Sequence, residues 1–297
     1  MGVIWPESVL AELRLPSPLV RLDDDRLTRH GLSLSVKRDD LIHPELPGNK
    51  WRKLEHNLAA ATAMGRRTLL TFGGAYSNHL RATAAAGHYL GLTTIGVVRG
   101  EERLPLNPSL AYATERGMLL TYMDRATYRA KTEPAVLDAL RERWGDFYLL
   151  PEGGSNAAAV RGCAQLPAEI TEPYDVICCP CGTGGTLAGI ATGLRPGQRA
   201  LGFAVLKGGS FLNADVDRLQ REACGSGSGN WSIEQDFHFG GYARTTPELG
   251  AFIDDFTARH DITLDRIYTA KMMYGIYALS GRRVFPAGTR IIAVLTG

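Results

Sequence analysis

The chain has 297 residues, 44% hydrophobic and 22% charged, which is enough for two medium domains with a buried core. Its formal net charge is +2 and its basic residues are scattered, which argues against a nucleic-acid or polybasic membrane partner. It lacks the apolar run of about 18 residues that a membrane helix needs and the basic start and apolar core of a signal peptide, so we expect a cytoplasmic, enzyme-like protein without a membrane partner.

Short apolar runs alternate with amphipathic stretches along the chain. The predicted strands are Leu69–Phe72, Thr94–Val98, Met118–Tyr122, Phe147–Leu150, Val176–Cys179, Ala200–Val205 and Arg290–Leu295. The predicted helices are Lys50–Met64, Asn78–Leu90, Pro108–Arg116, Glu133–Trp144, Ala157–Ile170, Thr186–Leu194, Ser210–Glu222, Pro247–Arg259 and Lys271–Ser280. This alternation predicts an α/β fold with mainly parallel sheets, and two doubly wound domains are favoured over one barrel.

The first stretch that can carry chemistry is "PGNKWRK", where Lys50 and Lys53 follow a Pro-Gly-Asn turn at the start of a predicted helix. Two lysines on one helical turn usually form a solvated face. A lysine beside a glycine turn can instead react as an amine if its pKa is lowered. The stretch alone does not decide between a solvated helix face and a reactive lysine.

Two further loops place polar residues where a predicted strand meets a helix. "GGAYSNH" carries Ser77, Asn78 and His79, and "PEGGSN" repeats the theme with Ser155 and Asn156. Such residues are often only helix caps. The carboxyl ends of parallel strands are also where α/β sheets bind ligands, so several such loops predict a shared cleft.

The stretch "VICCPCGTGGT" runs from an apolar strand into the loop Gly182-Thr183-Gly184-Gly185-Thr186. Backbone N–H groups at a helix N-terminus, with two threonine hydroxyls, suit a phosphate. The loop matches neither G-x-x-x-x-G-K-[ST] nor G-x-G-x-x-G, and a plain tight turn stays equally possible. Its cysteines, among five in the chain, favour a buried strand end over a metal site or a disulfide.

Tyr242, Tyr268 and Thr296 complete the set of candidate residues. A lone tyrosine is usually a packing residue, and a penultimate threonine means little by itself. In combination, a lysine beside a glycine turn, a phosphate-type loop and polar strand ends suit pyridoxal 5'-phosphate. That cofactor needs a Schiff-base lysine, an anion site and partners for its ring.

The ordered motifs "GNKWRKLEHNL", "GGAYSNHLRATAAAG", "PEGGSN", "CGTGGTLAG", "GGY" and "YTAK" resemble those of the 1-aminocyclopropane-1-carboxylate deaminase and D-cysteine desulfhydrase family. The resemblance covers nearly the whole chain. It implies the tryptophan synthase β-like fold of fold type II pyridoxal-phosphate enzymes. It also implies a homodimer, with a small domain at 48–155 and a large domain formed by 1–47 and 156–297.

The resemblance also implies a role for each candidate residue. Lys50 would form the Schiff base, while Lys53 would stay free and approach the phosphate. Asn78 would bind the ring hydroxyl oxygen. Ser77 would hold the substrate carboxylate or act near its α-carbon. The loop Gly182, Thr183, Gly184, Gly185 and Thr186 would hold the phosphate, and Tyr242 and Tyr268 would flank the substrate.

Two positions discriminate within the family. Deaminases carry a glutamate after the second tyrosine, which pairs with the ring nitrogen, and a leucine on the last strand. Here Thr269 and Thr296 stand at these positions, as in desulfhydrases, with Thr296 expected near the cofactor. The chain is therefore expected to be a lyase that acts on D-cysteine or a related amino acid. The alternatives are a 1-aminocyclopropane-1-carboxylate deaminase and a pyridoxal-phosphate-binding protein without catalysis.

Trp51 departs from the family pattern, which more often has a small polar residue there. It is expected to reshape the entrance of the pocket.

Overall fold

The computed structural model describes residues 3–297. Its strands are β1 Leu19–Leu22, β2 Ser33–Lys37, β3 Thr68–Gly73, β4 Thr93–Arg99, β5 Leu119–Met123, β6 Tyr148–Leu150, β7 Val176–Cys181, β8 Arg199–Ala204, β9 Trp231–Glu234 and β10 Arg290–Val294. Its α-helices are α1 Glu7–Glu12, α2 Asp25–Thr28, α3 Asn49–Ala63, α4 Asn78–Leu90, α5 Pro108–Glu115, α6 Arg125–Arg129, α7 Pro134–Trp144, α8 Ala157–Cys163, α9 Gly185–Thr192, α10 Phe211–Cys224, α11 Pro247–His260 and α12 Thr269–Gly281.

The strands form two sheets. One has the order β1-β2-β10-β7-β8-β9, and the other β5-β4-β3-β6. All neighbours are parallel except β1 and β2, which are antiparallel. The predicted α/β fold with parallel sheets is confirmed. All strands of the second sheet lie within the predicted small domain, whose boundaries stay a prediction.

Helices cover the apolar strands. Every residue of β7 is buried, as expected for a central parallel strand covered on both faces. Helix α3, which carries both candidate lysines, packs closely against α8. A Cβ built on Gly162 of α8 would lie 1.8 Å from the carbonyl oxygen of Arg52 on α3, so only glycine permits this approach.

The predicted helix Ala157–Ile170 is wrong in its second half. Helix α8 ends at Cys163, and a short 3-10 helix follows at Leu166–Glu169. Pro167 explains the break, since it has no N–H for a helical hydrogen bond and restricts the residue before it. Among residues 3–297, every helix is too short or too polar to cross a membrane.

Candidate active site

Three loops that follow β3, β6 and β7 meet at one place. Ser155 Oγ, after β6, lies 2.6 Å from Thr183 Oγ1, after β7. The loop after β6 also packs on α4, because a Cβ on Gly154 would lie 2.8 Å from the imidazole Cε1 of His79. The structure therefore brings together the three loops that the sequence indicated.

Lys50 lies in the first turn of α3, beside the loop after β7. Its Nζ donates a hydrogen bond to the side-chain oxygen of Asn49, whose Nδ2 donates to Thr186 Oγ1 at 2.9 Å. Burial, followed by the nearby charge of Lys53, lowers the pKa of Lys50 to about 7. A large fraction of this amine is therefore unprotonated near neutral pH.

Lys53 lies one turn further along α3 and makes firmer contacts. Its Nζ donates to the carbonyl oxygen of Gly153 at 2.9 Å and to Ser155 Oγ at 3.1 Å. Ser155 connects Lys53 to Thr183 of the phosphate-type loop. Lys53 is thus a bonded cation behind this loop, and its pKa is also lowered by burial.

The loop Gly182–Thr186 leads into α9, and two of its glycines are closely packed. A Cβ on Gly185 would lie 2.5 Å from Ser155 Oγ, and one on Gly182 would lie 3.3 Å from the Tyr268 ring. Gly184, at φ 74°, provides the left-handed residue before the helix. The first N–H groups of α9 lack intrahelical partners and are available to an anion.

Ser77, Asn78 and His79 begin α4. Ser77 Oγ accepts a hydrogen bond from the Leu80 N–H at 3.3 Å, so this residue caps the helix. His79 is buried, and neither ring nitrogen has a hydrogen-bond partner among residues 3–297. Burial and the charges of Lys53 and Lys50 lower the His79 pKa to about 3, which keeps the imidazole neutral. The sequence marked His79 only as one of three polar loop residues.

Tyr242 and Tyr268 come from distant segments and meet. The Tyr268 hydroxyl donates to the Tyr242 hydroxyl at 3.2 Å, and the rings pack edge to face at 5.9 Å. Since Tyr268 also faces Gly182, the pair lies beside the phosphate-type loop. Burial raises the pKa of Tyr268 far above its ordinary value, so this phenol keeps its proton.

Thr269 has a structural role that the sequence did not reveal. Its hydroxyl donates to Asp265 Oδ2 at 2.6 Å, and Asp265 also accepts hydrogen bonds from the N–H groups of Tyr268 and Thr269. The Asp265 carboxylate therefore binds the N–H groups of the N-cap residue Tyr268 and of the first residue of α12, and Thr269 holds it there. The Thr269 proton is committed to this carboxylate.

Thr296 is buried behind the start of α3. Its carbonyl oxygen accepts a hydrogen bond from the Asn49 N–H at 3.2 Å. Gly48, at φ 61°, makes this contact possible, because its Cβ would lie only 1.8 Å from that oxygen. The last strand and the lysine helix are thus joined at Gly48.

Substituting Gly48 with alanine is expected to destabilise the protein and displace Lys50, because the added methyl group overlaps Thr296. Gly145→Ala is the matched control: Gly145 has φ 72° and ψ −158°, close to the φ 61° and ψ −137° of Gly48, and a Cβ added there meets no atom of residues 3–297 within 4 Å. This variant therefore carries only the backbone cost of about 1–3 kcal/mol. Chemical denaturation measures both losses of unfolding free energy. Equal losses would show that the contact with Thr296 is unimportant.

The expectation for Trp51 is wrong. Its ring stacks on Trp5 at 4.8 Å and is only 3% exposed, within an apolar cluster that includes Ile42 and Leu54. Adjacent residues on a helix point in directions about 100° apart, so Lys50 and Trp51 face different surroundings. Trp51 packs α3 against the N-terminal segment.

A buried ionic cluster supports α3 from behind, and the sequence analysis did not identify it. Arg52 Nε lies 2.6 Å from Asp39 Oδ2, and its Nη1 lies 2.7 Å from Glu169 Oε1. Glu169 also accepts a hydrogen bond from Lys37 Nζ at 2.7 Å. The Asp39 carbonyl oxygen accepts from the Gly48 N–H at 2.8 Å, which links this cluster to the turn before Lys50. The available signal was the charged pattern of "VKRDDL" and "NKWRK".

Comparisons with known proteins agree with this arrangement. Residues 10–297 match the family model described as "Pyridoxal-phosphate dependent enzyme". A protein of Arabidopsis thaliana named bifunctional D-cysteine desulfhydrase/1-aminocyclopropane-1-carboxylate deaminase, mitochondrial, is 31% identical over 294 residues, covering 91% of this chain and 73% of its own. A D-cysteine desulfhydrase of Yersinia enterocolitica is 30% identical, covering 95% and 91%.

A solved structure gives the same picture. The crystal structure of a protein titled "ACC deaminase homologue" superposes with a TM-score of 0.84 at 29% identity, covering 98% of this chain and 93% of that one. The resemblance stated from the motifs is confirmed, and so is the fold class.

Proposed function

The chain belongs to the pyridoxal-phosphate dependent enzymes, and we propose that it is a β-eliminating lyase that converts D-cysteine, or a related amino acid, to pyruvate, sulfide and ammonia. The D-cysteine desulfhydrase of Yersinia enterocolitica supports this substrate class. The Arabidopsis thaliana protein, which is named for both activities, supports it and the deaminase alternative equally. The homodimer and the cytoplasmic location stay predictions.

The residues present fit pyridoxal phosphate. Lys50 supplies an amine whose pKa of about 7 allows covalent attachment near neutral pH. The start of α9, with Thr183 and Thr186, supplies donors for the phosphate, and Lys53 supplies a charge behind it. The two ring nitrogens of His79, which have no hydrogen-bond partner among residues 3–297, are buried polar groups close to both lysines. Asn78 and Thr296 are proposed to hold the ring.

When bound, pyridoxal phosphate serves as an electron sink for the α-carbon of an amino acid. The free amine of Lys50 is suited to remove the α-proton. Ser77, the N-cap of α4, is proposed to hold the substrate carboxylate or to act near the α-carbon, and the N-terminus of this helix favours an anion there. Tyr268, which keeps its proton, can donate toward a leaving sulfur with Tyr242 as its neighbour.

The observation that favours elimination over ring opening is that Thr269 is uncharged and that its hydroxyl is hydrogen-bonded to Asp265. This residue stands where the deaminase pattern has glutamate, and its hydroxyl is committed to Asp265 at 2.6 Å. An uncharged partner favours protonation of the ring nitrogen less than a carboxylate does. A weaker electron sink suits loss of a good leaving group such as thiolate.

A coupled assay of sulfide and 2-oxo acid tests the proposal. The substrates are D-cysteine, L-cysteine, D-serine, β-chloro-D-alanine and 1-aminocyclopropane-1-carboxylate. We expect equimolar sulfide and pyruvate from D-cysteine. Faster 2-oxobutyrate formation from the cyclopropane substrate would establish the deaminase instead. Full cofactor occupancy without turnover of any substrate would establish a non-catalytic binding protein.

The rate at which apoprotein takes up pyridoxal phosphate should rise with pH around 7. Because the Lys50 pKa is depressed to about 7, the free-amine fraction rises from about 10% at pH 6 to about 90% at pH 8. Removing the Lys53 charge with Lys53→Met should move this midpoint upward, since that charge helps to lower the Lys50 pKa. Stopped-flow absorbance measures the pH midpoint of cofactor uptake. A midpoint near the ordinary lysine pKa would contradict the assignment of Lys50 as the attachment site.

A further inference from the structure

Lys271, the lysine of "YTAK", is buried without a carboxylate partner. Its side chain is 0% exposed, and it forms no salt bridge within residues 3–297. Its Nζ donates to the carbonyl oxygens of His238 at 2.9 Å and of Gly241 at 2.8 Å. Burying an ammonium group is costly, and a methionine would fill similar space without that cost. The presence of lysine is explained by the two carbonyl groups that it binds.

These carbonyl groups belong to the Tyr242 loop, defined as residues 238–244. Four of its residues have positive φ: Phe239 at 51°, Gly240 at 90°, Gly241 at 119° and Ala243 at 56°. Two of these are not glycine, so the backbone is in an unfavourable conformation. Such a conformation persists only when surrounding contacts impose it.

The Tyr242 loop contains two successive hydrogen-bonded turns, and Lys271 binds the carbonyl oxygen that closes each of them. The His238 carbonyl oxygen also accepts from the Gly241 N–H at 3.0 Å, and the Gly241 carbonyl oxygen from the Arg244 N–H at 3.1 Å. One ammonium group therefore reinforces the acceptor of each turn. Helix α12 provides a second contact with the loop, because its Tyr274 packs edge to face against Phe239 with the ring centroids 4.9 Å apart.

Tyr242 depends on this loop for its position. Its side chain is 38% exposed, so packing alone does not fix it. Its hydroxyl nevertheless meets that of Tyr268, the residue just before α12. Helix α12 thus fixes Tyr268 directly and Tyr242 through Lys271.

We propose that Lys271 is a positioning residue that holds the Tyr242 loop in its strained conformation and so sets the Tyr242–Tyr268 pair. Its consequence for turnover rests on the function proposed above, whereas its consequence for the loop does not.

Lys271→Met tests both consequences. Hydrogen exchange followed by mass spectrometry should show faster exchange in residues 238–244 and unchanged exchange in β7 and β8. With D-cysteine, kcat/KM should fall by roughly 10- to 100-fold, the scale expected for a misplaced catalytic group. In a Tyr242→Phe background, the same substitution should cost less than about twofold, because the two residues act through one position.

Lys207→Met is the matched control. Lys207 is exposed and packs its Cβ beside the same loop, near Gly241. This variant should leave both loop exchange and turnover unchanged. If Lys271→Met fails to fold, Lys271→Gln, whose amide keeps two N–H donors but no charge, should show the same changes in weaker form.

Two results would overturn the proposal. One is unchanged hydrogen exchange of the loop in a folded Lys271 variant; the other is a double variant whose loss of kcat/KM equals the product of the losses in Lys271→Met and Tyr242→Phe alone. If no amino acid is turned over, the proposed function fails, and the exchange measurement still decides the role of Lys271.

Discussion

Replacing Lys50 with alanine is expected to abolish covalent attachment of pyridoxal phosphate and to lower turnover by at least about 10³-fold, within the range for loss of a general base. The reason is that a large fraction of the Lys50 amine is unprotonated near neutral pH, and that Asn49 is its single hydrogen-bond partner among residues 3–297. Lys53 is held by Gly153 and Ser155 and is not free to replace it. Absorption spectroscopy and the D-cysteine assay measure the two effects.

Two controls separate the amine from its charge. Lys50→Arg keeps a positive charge but cannot lose its proton, so it should be as inactive as the alanine variant. Lys207→Ala removes an exposed lysine and should change neither property. Normal attachment and turnover in Lys50→Ala would refute the assignment of this residue.

Removing the carboxylate of Asp39 is expected to have the largest effect on stability. In Asp39→Ala, Arg52 would lose two hydrogen bonds while only 2% exposed. Removing one partner of a buried ion pair costs about 3–5 kcal/mol. Urea denaturation should show this loss. Lys50 should also become less well placed, because the buried cluster would no longer hold the Asp39 main chain, whose carbonyl oxygen accepts from the Gly48 N–H.

Asp40→Ala is the matched control for Asp39→Ala. Asp40 pairs with Arg38 at 2.8 Å, but both side chains are partly exposed. An exposed pair contributes about 0–1 kcal/mol, so this variant should be nearly as stable as the parent protein. Similar losses for the two variants would contradict the importance of the buried cluster.

Sequence reasoning succeeded where local signals determine structure. Helix α4 was predicted at its observed bounds, because Ser77 provides an N-cap and Gly91 takes the left-handed conformation at the C-terminus. The parallel strands β3, β4, β7 and β10 were readable as apolar runs. The loop Gly182–Thr186 before α9 was also found, because its glycines and threonines form a local sequence signal.

Sequence reasoning failed where distant residues decide. Strand β2 was missed although Ser33–Lys37 has the polar–apolar alternation of a strand, because strands were predicted from continuous apolar runs. Its last residue is the buried Lys37, whose charge is balanced by Glu169, 132 positions away. Trp51 was misplaced because its partner Trp5 lies on another segment. Neither pairing leaves a local signal.

The site shows the same division. The candidate lysines and loops were visible as motifs, while their contacts were not. That Lys53 bonds to Gly153, and that Thr269 is committed to Asp265, required the folded chain. The chemical roles of the site residues stay predictions until variants are measured.

The central claim, that Lys50 carries the cofactor, is tested most directly by fixing the cofactor to its lysine. Borohydride reduction of the protein loaded with pyridoxal phosphate, followed by peptide sequencing in the mass spectrometer, identifies the modified residue. We predict the pyridoxyl group on Lys50, with Lys53 unmodified. Modification of Lys53, or of neither lysine in fully loaded protein, would contradict the account.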